Sequence, residues 1–227
     1  MEAATSLKLW CPSYNYKIEN MEKITIGINQ RIPIHILELA LCAALQDEAS
    51  PEYFSELAAT EYKGENRIKK SVSVINKLTI RNPLFGYLHE HAEAVMAAMK
   101  NKYDRPLLFG AIICAAYPFG FDTLSIMGKY FHVQQQVNTT LITQRMASKY
   151  GSNRSLPNAL YCVLPMFIEA GLLNRPVAGI YEAIRQKRYS DFAFTLYRKA
   201  FIINNPTYTE KDDIESNPYF EFITRNY

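Results

Sequence analysis

"KYGSNRSLPNALYCVLPMFIEAGLLNRPVAGIYE", Lys149 to Glu182, decides how the whole chain is read. A short polar turn, "GSNR", leads into an apolar run that begins at Ser155 and stops at Gly171. Two leucines, Arg175 and a turn marked by proline and glycine follow. A serine ahead of an apolar run opens a helix, and a glycine just past it closes one. The pattern therefore predicts a helix from Ser155 to Gly171, kinked rather than broken at Pro165. Leu160, Val163, Leu164 and Phe167 form its buried stripe, which turns Arg154, Ser155, Asn158 and Tyr161 outward.

Upstream, "NTTLITQRMASKYG" reads as another helix, from Asn138 to the stop at Gly151. Two helices joined by a turn this short make a helix-turn-helix, whose second member presents its N-terminal side chains to the DNA major groove. Arg and Asn pair bidentately with guanine and adenine edges, while a serine and the backbone N–H groups at a helix start suit phosphate. Beyond the helix, "LL" and "IYE" flank "PVAG" as a short β-ribbon, a wing on which Arg175 meets phosphate. Arg145 and Lys149 add cations on the first helix. The competing reading is a plain corner of a helical bundle, with Arg154 as a structural cap or ion-pair partner. Pro157 speaks for it, because a proline so early is less usual in a groove-reading helix.

Outward from this stretch the helical signals continue. "IPIHILELALCAALQDE" puts Ile34, Leu37, Leu41 and Leu45 on one face behind Pro33, and Ser50 with Pro51 opens the next helix. Asn66 to Leu78 carries Ile68, Val72, Ile75 and Leu78 on one stripe and leaves Arg67, Lys69, Lys70 and Lys77 to water. "NPLFGYLHEHAEAVMAAMKNK" predicts one long helix capped by Asn82. Asp104 caps "RPLLFGAIICAA", which is apolar on every side from Leu107 to Ala116 and so belongs at the centre of a bundle. A helix starting on Asp122 carries Leu124, Met127 and Phe131, and Ser190 caps a last one. Apart from the wing, only "EKITIGINQ", Glu22 to Gln30, alternates like a strand. The expected fold is mainly α: a helical bundle with a C-terminal helix-turn-helix or winged-helix-like region and at most short β-ribbons. A helical region at 1–103, a winged-helix-like region at 104–205 and an acidic tail at 206–227 follow, the first two either separate or sharing one core.

The formal net charge is +3, but it is unevenly spread. Residues 1–62 carry −5, 63–137 carry +5, 138–205 carry +6 and 206–227 carry −3. A basic middle between acidic ends is the footprint expected for a polyanion partner, unless the two signs intermingle in space. Enzymatic constellations are missing: the chain has no phosphate-loop, dinucleotide or G-x-S-x-G hydrolase motif. His89 and His91 stand two apart, and a helical zinc pair needs a spacing of four. Cys11, Cys42, Cys114 and Cys162 lie far apart with no C-x-x-C, so they read as reduced thiols without zinc. The start, "MEAATSLKLWCPSYNYK", lacks the pattern of a secretory signal, and the longest uncharged stretch, Pro106–Phe121, is shorter than the ~20 residues a spanning helix needs. These features predict a cytoplasmic protein without membrane partner, metal, cofactor or catalytic activity.

The order "RPLLFGAIICAAYPF", "LSIMGKYF", "NRSLPNALYCVLPMFIEAGLL", from Arg105 to Leu173, resembles the BrxA-like family, the small helical DNA-binding component of BREX phage-defence systems. Arg154-Ser155 and Gly171-Leu172-Leu173 stand where that family begins and ends a helix, and the likeness covers about a third of the chain. The resemblance implies a non-catalytic, mostly helical protein that binds double-stranded DNA and works beside a methyltransferase and other defence proteins. The alternative is a protein–protein adaptor without nucleic-acid binding, in which some of the 16 Tyr and 12 Phe residues are exposed anchors.

Overall fold

The computed structural model describes residues 25–151 and 153–224. Among them run ten α-helices: α1 (Ile34–Leu45), α2 (Pro51–Glu61), α3 (Glu65–Leu78), α4 (Phe85–Glu90), α5 (Ala92–Lys100), α6 (Arg105–Ala116), α7 (Pro118–Phe131), α8 (Thr139–Tyr150), α9 (Leu156–Ala170) and α10 (Asp191–Asn204). Three short strands, β1 (Gln136–Asn138), β2 (Leu173–Val177) and β3 (Ile180–Ala183), form one antiparallel sheet in the order β1-β3-β2. The fold is mainly helical with a small sheet, as the periodicity predicts.

Helix α6 organises the molecule. Every residue from Pro106 to Ala116 is buried, and α3, α5, α7, α9 and α10 all pack on it. At its start the Arg105 guanidinium grips Glu38 of α1 with two hydrogen bonds, Nη1 to Oε1 at 2.6 Å and Nη2 to Oε2 at 3.0 Å. Such a fork fixes both position and angle, so α1 is held to the head of the central helix. Buried apolar side chains form one contiguous cluster from Ile26 to Ile223.

Several local expectations change once these contacts exist. Asp104 does not cap α6; its carboxylate accepts from the Ser190 N–H at 2.6 Å and from Asn101 Nδ2 at 3.0 Å, tying the start of α6 to that of α10. Asn82 does not cap a long helix either. It is buried, donates to the carbonyls of Leu78 and Ile112 and accepts from the Leu84 N–H, so it links α3 to α6. The long helix itself divides at His91, whose ψ of 35° leaves the helical range. Lys77 is half-buried with its ammonium 4.3 Å from the Tyr117 ring centre, and the loss of water lowers its pKa. Helix α7 begins four residues early, at Pro118 rather than Asp122, and Asp122 is buried inside it. Ile26 and Ile28 are buried as the alternation implies, yet among the described residues they pair with no strand: the chain makes a γ-turn at Gly27 (φ +73°) with the Ile28 N–H on the Ile26 carbonyl. Residues 22–24 of that stretch lie outside the described residues, as does Cys11.

The end of the described chain belongs to the core. Residues Pro218–Phe222 form a 3-10 turn on α7, with Tyr219 and Phe222 fully buried. Tyr219 stacks on Tyr197 at 4.3 Å and Phe220 packs on Phe201 at 5.4 Å. The close approach requires Gly128, where a Cβ would lie 1.9 Å from the Pro218 carbonyl oxygen. Most aromatic side chains among the described residues are therefore spent on packing, whereas Tyr161 is 80% exposed, well beyond Tyr103 and Tyr208 at 38% and 43%.

Candidate nucleic-acid interface

Strand β1 leads directly into α8, whose start is capped by the Asn138 side chain accepting from the Leu141 N–H at 2.8 Å. Helix α8 ends at Gly151 (φ +72°), a turn follows, and α9 begins at Leu156. The Ser155 hydroxyl does not cap α9; Asn153 arranges the turn instead, its Oδ1 accepting from both the N–H and the hydroxyl of Ser155. Helix α9 stops at Gly171 in the left-handed region (φ +89°), and the N–H groups of Gly171 and Leu172 close back on Ile168 and Phe167. Leu172 and Leu173 are buried, and β2 turns through Ala178-Gly179 into β3. Val137 pairs with Tyr181 in the middle of the β1–β3 ladder, and both are buried, which seats the hairpin against the helices. A bulge between Asn174 and Val177 accommodates Pro176.

All four residues of the expected stripe, Leu160, Val163, Leu164 and Phe167, are buried in α9. Arg154, Ser155, Asn158 and Tyr161 are exposed along its start and first turns. Among the described residues Arg154 has no ion-pair partner. Tyr161 stands on a ridge between two grooves. One, of about 500 Å³, runs past Pro157, Leu164, Thr143 and Tyr181 to Arg175, whose guanidinium lies 6.0 Å over the Tyr181 ring. The other, of about 680 Å³, separates Asn158 and Tyr161 from Arg31, Tyr62 and Arg67.

The last turn of α9 is not free. Glu169 pairs with Arg31 and accepts from the Ile34 N–H at 2.8 Å, so it caps α1 and docks residues 31–34 against the outer face. Among the described residues, the exposed positions of α9 lie in its N-terminal part, at Pro157, Asn158 and Tyr161. Sequence reading missed this contact, which joins residues 135 positions apart, and carried no signal for it beyond an unassigned carboxylate. Strand β1 was also unforeseen, being too short at three residues for an alternation to register.

Lys149 and Arg145 do not join the ridge. Lys149 Nζ bonds Asp122 Oδ1 at 2.6 Å, and Arg145 Nε donates to the Tyr130 hydroxyl at 2.6 Å, both across a cleft toward α7. Asp122 also accepts from the Tyr150 hydroxyl at 2.7 Å. Burial, then that hydrogen bond and charge, drives the Tyr150 pKa far above the usual phenol range. His89 and His91 have separate partners, Asp47 for the first and the Tyr87 carbonyl for the second. No three His, Cys, Asp or Glu side chains gather as a metal site among the described residues. Of the cysteines, Cys42 is half-buried and Cys114 and Cys162 are buried as free thiols, with burial pushing Cys162 up to about 11. No helix among the described residues is long and apolar enough to cross a membrane. No family model, curated protein or solved structure matches the chain.

Proposed function

We propose that the protein is a non-catalytic binder of double-stranded DNA, with α8, the turn at Arg154–Ser155 and α9 as a helix-turn-helix and the β2–β3 hairpin as its wing. The observation that carries this reading is the element order β1-α8-α9-β2-β3 with β3 between the other two strands, together with an α9 whose exposed positions, among the described residues, lie along its N-terminal turns. That is the part of a recognition helix that meets base edges. Arg154 and Asn158 are the base-reading candidates, Ser155 and the α9 start suit a phosphate, and Arg175 reaches a backbone from the hairpin. Tyr161 adds a flat face to the ridge. The resemblance to BrxA-like proteins supports a role beside other proteins of a bacterial phage-defence system. The test is a fluorescence-anisotropy titration of a labelled duplex across a salt series: affinity is expected to fall steeply and log-linearly with salt, as counterion release requires. Absence of duplex binding even at low salt refutes the proposal.

One observation favours a second reading, the protein adaptor. Tyr161 and Val177, at 80% and 60% exposure, are large apolar side chains in the same region, and Pro157, Leu164, Pro165 and Ile168 line the groove nearby. A protein segment docked there would bind with little salt dependence, so the same titration against a peptide library separates the two.

A further inference from the structure

The cleft between α7 and α8 has a chemistry of its own. It is about 530 Å³ in volume, within the size range of small-ligand sites, and its rim carries Lys129, Arg145 and Lys149 against the single carboxylate of Asp122. Asp122 is already engaged by Lys149 and Tyr150, so among the described residues the remaining positive charge of the lining is uncompensated. Arg145 uses Nε on Tyr130, which fixes the guanidinium plane and leaves both terminal nitrogens to point elsewhere. Lys129 is exposed and has no ion-pair partner among the described residues. Ser125 lines the same cleft, and its Oγ is buried without a hydrogen-bond partner among the described residues. A buried hydroxyl of that kind is a donor waiting for an acceptor. Tyr130, Ile126 and the exposed Val133 complete an apolar wall beside the charged groups.

We infer that this α7–α8 cleft is a phosphate-binding site, in which Lys129, Arg145 and Lys149 hold the oxygens and Ser125 donates to one of them. Asp122 acts as a positioning residue, keeping Lys149 at the rim instead of in solvent. The phosphate belongs either to a free mononucleotide, whose base lies on the Tyr130–Val133 wall, or to the backbone of a bound duplex. The second source rests on the DNA-binding reading; the first does not. Geometry distinguishes the cleft from the α9 ridge: no residue that lines it lines either groove beside Tyr161.

The experiment uses the full chain, the double variant Lys129→Gln/Arg145→Gln, the ridge variant Arg154→Ala and a charge control, Lys187→Gln/Lys211→Gln, at two exposed lysines elsewhere. Each is titrated calorimetrically with AMP and, separately, by anisotropy with a labelled duplex. AMP binding at one per chain that weakens about ten- to hundredfold in the cleft double variant, and not in Arg154→Ala, supports the free-nucleotide source. Without AMP binding, a loss of duplex affinity in the cleft double variant at least tenfold beyond the charge control supports the backbone source. If neither AMP nor duplex binding responds to the cleft variant more than to the control, the inference is overturned. A wild type that ignores every duplex defeats the DNA-binding proposal alone, because the AMP titration still reads the cleft. Should the double variant misfold by circular dichroism, Lys129→Gln alone carries the same test, since that side chain is exposed and makes no ion pair among the described residues.

Discussion

Arg154 and Lys149 are five residues apart and both basic, yet their surroundings assign them opposite sensitivities. Lys149 pairs with Asp122, a carboxylate only 10% exposed, while Lys149 itself is 48% exposed. Removing one partner of a fully buried pair costs about 3–5 kcal/mol, and an exposed pair contributes at most ~1 kcal/mol. With the acid buried and the ammonium half in water, Lys149→Ala should destabilise by about 1–2 kcal/mol. The Tyr150 hydroxyl remains on the carboxylate and limits the damage. For a chain of this length that is a fall in Tm of roughly 2–8 °C. Arg154→Ala removes an exposed side chain with no ion-pair partner among the described residues, so stability should change by no more than about 0.5 kcal/mol, or ~2 °C. Its duplex affinity should instead drop about five- to a hundredfold, the value of a lost base contact of ~1–3 kcal/mol. Thermal melts and anisotropy titrations on both variants measure the two quantities. If Arg154→Ala melts as early as Lys149→Ala and binds duplex like the wild type, Arg154 is a bundle-corner residue and the groove-reading assignment of α9 is wrong.

Arg175→Ala should weaken duplex binding evenly across sequences and flatten the log–log salt slope by about one unit, because a hairpin phosphate contact carries no base information; a sequence-dependent loss contradicts that placement. Gly128→Ala should cost at least ~3 kcal/mol in urea unfolding, since the clash is with a backbone carbonyl that no rotamer change relieves. Gly86→Ala, where a Cβ meets nothing within 4 Å, should be neutral or stabilising by up to ~1 kcal/mol, and equal effects at the two glycines would refute the packing of the 3-10 turn. Stability should fall with pH above about 10, where unfolded tyrosines ionise. Burial holds the phenols of Tyr117, Tyr150, Tyr197 and Tyr219 protonated past that point, so the unfolded state releases protons first. Lys77, lowered by burial, works in the opposite direction as a single group against four. Urea midpoints that stay level from pH 9 to 11 would count against the buried phenols.

The parts of this fold that were legible in the sequence are those decided within one or two helical turns. Ser50, Asn138 and Ser190 cap the helices they precede, Gly171 stops α9, and the all-apolar run in α6 is central, because each of these depends on near neighbours. The hairpin was readable from "PVAG" for the same reason. Asp104, Asn82, Asp122 and Glu169 were not readable. Each is a polar residue with a partner from a distant element, and the local sequence does not reveal that a remote N–H, amine, guanidinium or carbonyl will take the side chain first. The candidate site divides along the same line. The outward row on α9 follows from its own periodicity, whereas the separation of Arg145 and Lys149 from that row follows from what α7 presents to them.

The 3-10 turn at Pro218–Phe222 also has a bearing on how the protein is made. It packs on α7, the helix that supports α8, and the Arg185 beyond the hairpin is held by Glu221 and the Phe131 carbonyl together. A ribosome adding residues in order delivers α7, α8, α9 and the hairpin well before residues 218–222 emerge. Until then the α7 groove beside Gly128 lies bare, with Phe121 and Phe131 among the side chains that the late aromatics will cover. A nascent chain paused before residue 218 should therefore be a substrate for chaperones and proteases, because α7 stays uncovered until Tyr219 and Phe222 arrive to pack on Phe121 and Phe131.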